Sequence, residues 1–284
     1  MRLKNKNAFS LIELSFVIII VSILIVGSLN GIEMIKKAKL ATAQTLTEQS
    51  IVGELKNLIA WYETSLSISF IDSERDNGLK ISTWKNINPD SLNPNDATQA
   101  TIINRPTFLD NQFNNAIPGV FFDGDDFLNF IGADLIGSSY SIFIVEKRTT
   151  GLGFLTMIGG SSGLPNSNLM LAYRNSTSIT QSHYYNDIDF IVPAYSSPIA
   201  NMHSFLFNVT YGKKYWFNGG DLPDKADATQ TASIVSYDTP SIGGRGNYFK
   251  GNIAEIIILK RSLLTEERKA VEDYLSKKYS IAIR

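Results

Sequence analysis

The sequence of 284 residues contains no cysteine, only two histidines, and no proline before Pro89. The lack of cysteine excludes a disulfide scaffold, a cysteine nucleophile, an iron–sulfur cluster and a cysteine-ligated zinc site. An excess of basic residues is also missing, because 26 Lys and Arg stand against 27 Asp and Glu. No nucleic-acid partner is therefore expected from the net charge. Hydrophobic residues make up 44% of the chain, which is enough for a folded protein with a sizeable core.

The N-terminal segment differs from the rest of the chain. Three basic residues lie within residues 1–8, and the apolar run 9–32 that follows carries one charge, Glu13. About 20 helical residues cross the hydrocarbon core of a bilayer, so this run predicts a transmembrane segment over residues 9–32. The preceding basic residues predict a cytoplasmic N-terminus and an exported body.

The nine residues KNAFSLIEL, which begin at Lys6, are followed by the apolar stretch SFVIIIV. This segment resembles the cleavage and methylation segment of type IV prepilins and type II secretion pseudopilins. The resemblance implies that a prepilin peptidase removes the leader 1–8 by cutting between Ala8 and Phe9, and then methylates the amine of Phe9. It also implies that Glu13 pairs with the N-terminal amine of a neighbouring pilin or pseudopilin subunit during assembly. Inner-membrane lipid is a further implied partner, and single-pass placement in the inner membrane is the implied localisation.

Two alternatives to a prepilin segment are a secretory signal peptide and an uncleaved membrane anchor. A secretory signal peptide has a shorter apolar core followed by a small-residue cleavage site, and here the run is longer and Ala8 precedes it. An uncleaved membrane anchor fits the length but leaves Glu13 unexplained. A carboxylate in a spanning helix costs up to about 3 kcal/mol unless it is paired or reaches the interface.

The same resemblance implies one long N-terminal helix. Ile35, Ala38, Ala41 and Leu46 recur near helical spacing after the apolar run. We therefore predict a pilin-like helix over residues 9–54, with its first half in the membrane.

The body of the chain has the pattern of an all-β domain. From about Leu58, short apolar runs alternate with clusters of Gly, Asn, Asp and Pro. Residues 140–147 and 253–259 predict buried strands, and alternation over 203–210 predicts a strand with its histidine packed in the core. The absence of long helices between strands disfavours a parallel sheet. A last helix is predicted from Thr265, with acidic residues in its first turn and lysines in its last.

A second resemblance covers this body, residues 55–284. The stretch FKGNIAEIIILKRSLLTEER at 249–268, with VEDYLSKKY after it, resembles the end of bacterial laminin-G-like, concanavalin A-like domains. Further motifs in that family's order are IAWY at 59–62, ISTWK at 81–85, NRPT at 104–107, VFFDGDDFL at 120–128 and YWFNGG at 215–220. The resemblance implies a two-sheet antiparallel jelly-roll sandwich with a C-terminal helix. Such domains bind carbohydrate or protein, and the fold alone does not fix the function.

Enzymatic motifs are few in the sequence. A glycosidase needs two carboxylates facing one cleft, and no strand with alternating Glu-x-Asp-x-Glu spacing occurs. Glu255 stands alone in its strand and is interpreted as structural. No nucleophile-elbow motif accompanies the Ser, His and Asp residues. The sequence therefore predicts that the chain is not an enzyme.

Two groups of residues are candidates for binding. Asp123, Asp125 and Asp126 offer oxygen ligands for calcium, although a polar Asp-Gly turn explains the same residues. No other cofactor is expected. Four tyrosines in polar stretches are candidates for stacking on sugar rings, and they are Tyr173, Tyr184, Tyr185 and Tyr195.

The sequence thus predicts a pilin-like or pseudopilin-like filament subunit that displays a laminin-G-like head for adhesion or cargo recognition. One alternative is a membrane-tethered lectin-like domain that binds carbohydrate or protein and does not polymerise. Another is a tethered polysaccharide hydrolase, which the missing pair of carboxylates disfavours.

Overall fold

The computed structural model describes residues 11–90, 95–161, 163–244 and 246–284. Its two α-helices are α1 (Leu11–Glu48) and α2 (Thr265–Tyr279). The strands, in chain order, are β1 (Leu58–Glu63), β2 (Thr83–Trp84), β3 (Ala97–Thr98), β4 (Thr107–Phe113), β5 (Ile117–Asp123), β6 (Leu128–Asn129), β7 (Tyr140–Arg148), β8 (Leu155–Gly159), β9 (Met170–Tyr173), β10 (Ser178–Ser182), β11 (Asp187–Ile191), β12 (Asn201–Asn208), β13 (Gly212–Phe217), β14 (Lys225–Asp227), β15 (Ser241–Ile242) and β16 (Lys250–Leu259).

The strands form two antiparallel sheets. Sheet A has the order β14-β13-β12-β7-β16-β5-β4, and β1 pairs with β16 beyond the end of its pairing with β5. Sheet B has the order β11-β10-β9-β8-β15-β6-β3-β2. Two antiparallel sheets and a C-terminal helix are what the sequence predicts for the body, and both are confirmed.

Sheet A is buried on both faces, which explains the long apolar run in β16. Ile256 and Ile258 point into the core between the two sheets. Ile257 and Leu259 point the other way, into a second core that α1 and α2 cover. Because successive side chains of a strand face opposite sides, a strand covered on both sides needs apolar residues at nearly every position.

The second half of α1 is attached to the sandwich. Ala43 is buried in the second core. The side-chain amide of Gln44 donates to the carbonyl of Ser65 at 2.9 Å, and the hydroxyls of Thr47 and Tyr274 lie 3.2 Å apart. These contacts join the helix both to the segment after β1 and to α2.

The observed helix is shorter than the predicted span 9–54. It ends at Glu48, and a separate 3₁₀ turn occupies Ile51–Glu54. Ser50 between them has an extended backbone, with ψ at 150°. This residue breaks the helical hydrogen-bond ladder and directs the chain into β1.

The first half of α1 makes few contacts with the rest of the chain. The apolar side chains described there are between 46% and 71% exposed, and they are Ile12, Leu14, Phe16, Val17, Ile18, Ile19, Ile20, Val21, Leu24, Ile25, Ile32, Met34 and Ile35. The apolar surface surrounds the helix, so it has no single face directed at the sandwich.

The prediction that this half crosses a membrane is wrong. Within the described residues, no helix has an apolar stretch long enough for a bilayer crossing. The finding overturns the transmembrane segment over 9–32 in the predicted fold class. It also overturns the single-pass inner-membrane localisation.

The predicted processing and assembly residues lie outside the described part of the chain. Ala8 and Phe9 precede its first residue. Glu13 belongs to the backbone of α1, but its side chain is not among the described ones. The cleavage site and the assembly role of Glu13 therefore stay predictions.

A buried ionic cluster holds α2 against sheet A, and we call it the Lys278 cluster. The ammonium of Lys278 is fully buried and donates to Glu63 at 2.9 Å and to Glu255 at 2.8 Å. Glu255 also accepts hydrogen bonds from Tyr274 and Tyr279, both at 2.8 Å. Burial alone would lower the pKa of Lys278, but the two carboxylates outweigh it and raise that pKa. Glu255 is thus a structural residue, as the sequence indicates.

Candidate functional site

A cavity of about 200 Å³ opens between the end of β7, the loop 193–199 and the end of β13. We call it the Arg148 pocket. Its polar and aromatic lining includes Arg148, Tyr195, Asn201, Phe217 and Arg284.

Arg148 supplies a buried positive charge to this pocket. It is the last residue of β7 and is 4% exposed. Its guanidinium lies 3.8 Å from the ring centroid of Tyr173 and 5.3 Å from that of Tyr195. It donates to the backbone carbonyls of Asn175 and Ser176, at 3.4 and 3.0 Å. No ion pair within the described residues includes Arg148, so its charge faces rings and carbonyls only.

Glu146 lies beneath the pocket and positions two of its lining residues. It precedes Arg148 by two residues, so both side chains share one face of β7. One oxygen of its fully buried carboxylate accepts from the phenol of Tyr173 at 2.8 Å and from the amide of Asn201 at 3.0 Å. The other accepts the backbone N–H of Arg148 at 2.6 Å. One carboxylate thus fixes both the strand end that carries Arg148 and the side chain of Asn201.

His203 completes this buried network. Its Nε2 lies 3.0 Å from the hydroxyl of Tyr173 and 3.2 Å from Glu146, and its Nδ1 lies 2.8 Å from the hydroxyl of Tyr215. Burial, followed by the nearby charge of Glu146, raises the pKa of Tyr173, so its phenol stays protonated and donates to the carboxylate. A carboxylate can only accept, so the Nε2 of His203 is the donor in its contact with Glu146. The predicted packing of His203 in the core is confirmed.

Asn201 leaves one acceptor available at the pocket wall. Its side-chain nitrogen donates to Glu146, which fixes the orientation of the amide because a carboxylate only accepts. The Oδ1 atom is buried, and it has no hydrogen-bond partner within the described residues. An unsatisfied buried acceptor is costly, so it indicates a place for a donor from a ligand or a water molecule.

Arg284 supplies a second guanidinium on the solvent side. It pairs with Asp224 at 3.0 Å, and its side chain is about half exposed. Its guanidinium lies 6.0 Å from the ring centroid of Phe217. The pocket therefore combines two guanidinium groups, two aromatic rings and one free acceptor. This set suits a small polar molecule with an anionic group.

A larger cavity of about 530 Å³ lies along α2. Its lining has no aromatic side chain within the described residues, and charged groups dominate it. Two of these, Asp221 and Lys269, pair at 2.7 Å on the surface. Charges that neutralise each other in an open cleft provide little for a ligand, so we favour the Arg148 pocket.

The four predicted tyrosines lie in three different places. Tyr195 lines the Arg148 pocket. Tyr173 is fully buried below the guanidinium of Arg148, so it supports the pocket rather than facing a ligand. Tyr184 and Tyr185 form the turn between β10 and β11. This turn follows β10, whereas the carbonyl of Ser176 that binds Arg148 precedes β10, so the two places are at opposite ends of that strand.

The predicted acidic residues do converge after β5. Carboxylate oxygens of Asp123, Asp125 and Asp126 all lie within 4.8 Å of one another. Lys80 already contributes a cation there, with its ammonium 3.2 Å from Asp126 and 3.9 Å from Asp123. Burial raises the pKa of Asp126 to about 6, which weakens it further as a metal ligand. Calcium binding stays a prediction, and Lys80 is the competitor that it must displace.

Sequence reasoning did not identify Arg148, Asn201 or Arg284. One signal was present, because Glu146 and Arg148 occur at alternating positions at the end of an apolar strand. Charged residues at i and i+2 of a strand face the same side, so they indicate a polar feature on a buried sheet. The other two residues lack such a signal.

No family model and no curated protein matches the chain. Solved structures do match. A Trypanosoma rangeli sialidase in complex with 2,3-difluorosialic acid has 12% sequence identity and a TM-score of 0.53, and the match covers 78% of this chain and 33% of that one. Another Trypanosoma rangeli sialidase structure has 12% identity, the same coverage and a TM-score of 0.52. The chain thus spans about a third of the length of these sialidases.

A third match is the Ruminococcus gnavus IT-sialidase CBM40, with 15% identity, a TM-score of 0.45, and coverage of 54% of this chain and 96% of that one. At these identities the sialidase likeness shows the fold alone. The chain therefore has a β-sandwich of a kind that also occurs in sialidase chains.

This likeness overturns the prediction that the chain is not an enzyme, because sialidases are enzymes and the sandwich does not exclude catalysis. That prediction depended on finding no paired carboxylates within one strand. Folding brings carboxylates together from distant positions, as it does for Glu63 on β1 and Glu255 on β16, which share Lys278. A pattern within one strand cannot reveal such pairs.

Proposed function

We propose that the sandwich is a lectin-like, carbohydrate-binding domain, and that the Arg148 pocket takes a sugar that carries a carboxylate. The main support is the buried guanidinium of Arg148, which has no carboxylate partner within the described residues. A ligand carboxylate would provide one, and Arg–carboxylate pairs are strong and directional. The unpartnered Oδ1 acceptor of Asn201 would take a hydroxyl or amide N–H of the same sugar. The aromatic rings beside them suit the apolar face of a sugar ring.

Sialic acid is the first acidic sugar to test, because the similar Trypanosoma rangeli structure holds 2,3-difluorosialic acid. We expect the full-length protein to bind α2,3-sialyllactose in isothermal titration and to bind lactose at least tenfold more weakly. The Arg148→Gln variant should reduce sialyllactose affinity by about 10- to 100-fold, because it removes a buried charged hydrogen-bond donor.

Arg75→Gln is the matched control, because Arg75 is surface-exposed, lies outside the pocket lining and pairs with Asp72. It should bind sialyllactose with unchanged affinity. Equal affinity for sialyllactose and lactose would show that the pocket does not recognise the carboxylate of the sugar. An Arg148→Gln variant that binds sialyllactose with unchanged affinity would show the same.

We also propose that the chain is a pilin-like or pseudopilin-like filament subunit, because its N-terminal segment resembles the cleavage and methylation segment of prepilins and pseudopilins. The supporting observation is α1, whose described apolar side chains between Ile12 and Ile35 surround the helix and are exposed in the single chain. Apolar segments of neighbouring subunits would cover this surface, while the second half of the helix carries the head. In this proposal Glu13 pairs with the amine of the next subunit after prepilin peptidase has exposed it.

Co-expression with a prepilin peptidase should change the intact mass of the protein. We expect the loss of residues 1–8 and the gain of one methyl group on Phe9. A Phe9→Lys variant should keep its full mass, whereas a Phe16→Lys variant, changed at another Phe of the same run, should still be processed. An unprocessed Met1 in the presence of active peptidase would refute the pilin-like assignment.

A further inference from the structure

The turn between β10 and β11 consists of two tyrosines in an unusual backbone conformation. Residues 183 and 186 pair across the hairpin, with the N–H of His183 3.3 Å from the carbonyl of Asn186, so Tyr184 and Tyr185 form a two-residue turn. Their φ angles are 39° and 69°. Positive φ at both positions is the pattern of a type I′ turn, for which Asn-Gly is the favoured sequence.

Tyrosine is a poor choice for this backbone. Bulky residues with positive φ crowd their own Cβ against the backbone and are genuine outliers. Here two of them are adjacent. Such conformations persist where the surrounding structure imposes them, and they cluster at ligand-binding sites. The strained backbone of this turn therefore lowers the stability of the fold, and it places two aromatic rings side by side at this position.

Buried polar groups hold the turn in place. The backbone N–H of Asn166 donates to the carbonyl of Tyr184 at 3.0 Å, and the hydroxyl of Ser182 accepts the N–H of Tyr184 at 3.0 Å. The fully buried ammonium of Lys213 donates to the carbonyl of Asn186. No ion pair within the described residues includes Lys213, and burial lowers its pKa to about 8. Burying an ammonium is costly, and this one donates to the backbone beside the turn, so the geometry of the turn is held by the structure around it.

The two rings form an exposed corner. Their centroids are 4.6 Å apart and their planes meet at 73°. Tyr185 is 74% exposed, and the nearby Leu164 and Val235 are 67% and 62% exposed. The charge of the neighbouring Asp187 is already taken up by Arg174 and by the hydroxyl of Ser182. The surface is therefore aromatic, apolar and locally neutral.

We propose that the Tyr184–Tyr185 turn is a second carbohydrate-binding site, and that it takes the apolar face of a neutral sugar ring. One ring would stack on the sugar, and the other would form a wall at its edge. The amides of Asn166 and Asn186, which bond to each other beside the turn, provide a polar rim for the sugar hydroxyls. This site and the Arg148 pocket lie at opposite ends of β10, so the head would bind two parts of a glycan or two glycan chains.

The test uses the full-length protein and four neutral disaccharides, namely lactose, cellobiose, maltose and chitobiose. Saturation-transfer NMR should detect binding of at least one. The Tyr185→Ala variant should weaken that binding at least fivefold. Tyr211→Ala is the matched control, because Tyr211 is 69% exposed in the turn between β12 and β13, and it should bind normally.

A double variant separates function from folding. Replacing the pair by the favoured turn, Tyr184→Asn with Tyr185→Gly, should raise Tm by about 2–6 °C while abolishing the binding. Failure of all four sugars to bind, or binding that survives the double variant, would overturn the proposal. So would a double variant without a gain in Tm, because the turn would then hold no strain.

The Arg148→Gln variant distinguishes this proposal from the preceding one. It should retain binding of the neutral disaccharide while losing sialyllactose. A disaccharide signal that disappears with Arg148→Gln and persists with Tyr185→Ala would place the neutral sugar in the Arg148 pocket and refute the second site.

Discussion

The Lys278→Met variant is expected to lose about 3–5 kcal/mol of its free energy of unfolding. Methionine keeps the length of the aliphatic chain but removes the ammonium that Glu63 and Glu255 share at 2.9 and 2.8 Å. Both carboxylates are at most 1% exposed, so each would be left charged, or forced to bind a proton, without its cationic partner. Breaking one partner of a buried ionic group is far more costly than replacing the whole group.

The adjacent Lys277 provides the control. Its side chain is 65% exposed and pairs with Asp273 at 3.0 Å, one helical turn earlier. Exposed pairs of this kind contribute only about 0.3–0.5 kcal/mol, so Lys277→Met should unfold almost like the original protein. Urea titration followed by fluorescence measures both variants. Equal losses at the two positions would mean that the Lys278 cluster does not stabilise the contact of α2 with sheet A.

The Gly251→Ala variant is expected to lose about 3 kcal/mol and, with it, binding of acidic sugars. Gly251 pairs with Arg148 between the central strands β16 and β7. A Cβ there would lie 2.6 Å from the Cα of Arg148 and 2.6 Å from the carbonyl oxygen of Lys147. Both are backbone atoms, so the strands must separate, and the guanidinium of Arg148 would leave its place over Tyr173.

Gly53→Ala is the corresponding control, because a Cβ at Gly53 would make ordinary contacts of 3.6 and 3.7 Å. It should be stable and should bind normally. Thermal unfolding and sialyllactose titration measure the two effects separately. A Gly251→Ala variant with unchanged unfolding would show that the two strands tolerate the methyl group, and the structural argument for this close approach would fail.

Much of the sandwich follows from residue patterns in the sequence. The apolar run 253–259 predicts a buried strand, and β16 occupies Lys250–Leu259. The run 140–147 likewise lies within β7, Tyr140–Arg148. Alternation predicts that His203 faces the core, and it does. Strands are predictable here because the apolar spacing within one segment reflects the cover on its two faces.

The polar contacts are not predictable in this way. The lysines near the end of α2 fit a favourable interaction with the helix dipole, but Lys278 is fully buried while Lys277 is exposed. The difference depends on Glu63, which is 215 residues away in the chain. Only the packing of α2 on sheet A places these groups together.

The residues of the candidate site are likewise far apart in the sequence. Polar loop composition indicated Tyr195, but Arg148 comes from a strand end and Arg284 from the segment after α2. The strain at Tyr184 and Tyr185 also lacks a sequence signal, because neither Gly nor Asn marks the turn. The backbone at these positions departs from the conformations that tyrosine prefers. Functional sites are where such departures are expected, and local sequence patterns do not predict them.

The attachment of α1 to the head has a mechanical consequence. Tension applied to the helix would reach the sandwich through the covalent chain that enters β1 at Leu58 and through side-chain contacts such as those of Gln44 with Ser65 and of Thr47 with Tyr274. β1 pairs with the central strand β16 from Leu58 to Glu63, with one irregularity between Leu58 and Ala60. Hydrogen bonds between antiparallel strands lie perpendicular to them, so a force along β1 would load these bonds together rather than one after another. The head would therefore stay folded under a pull that is sufficient to peel away a terminal hairpin.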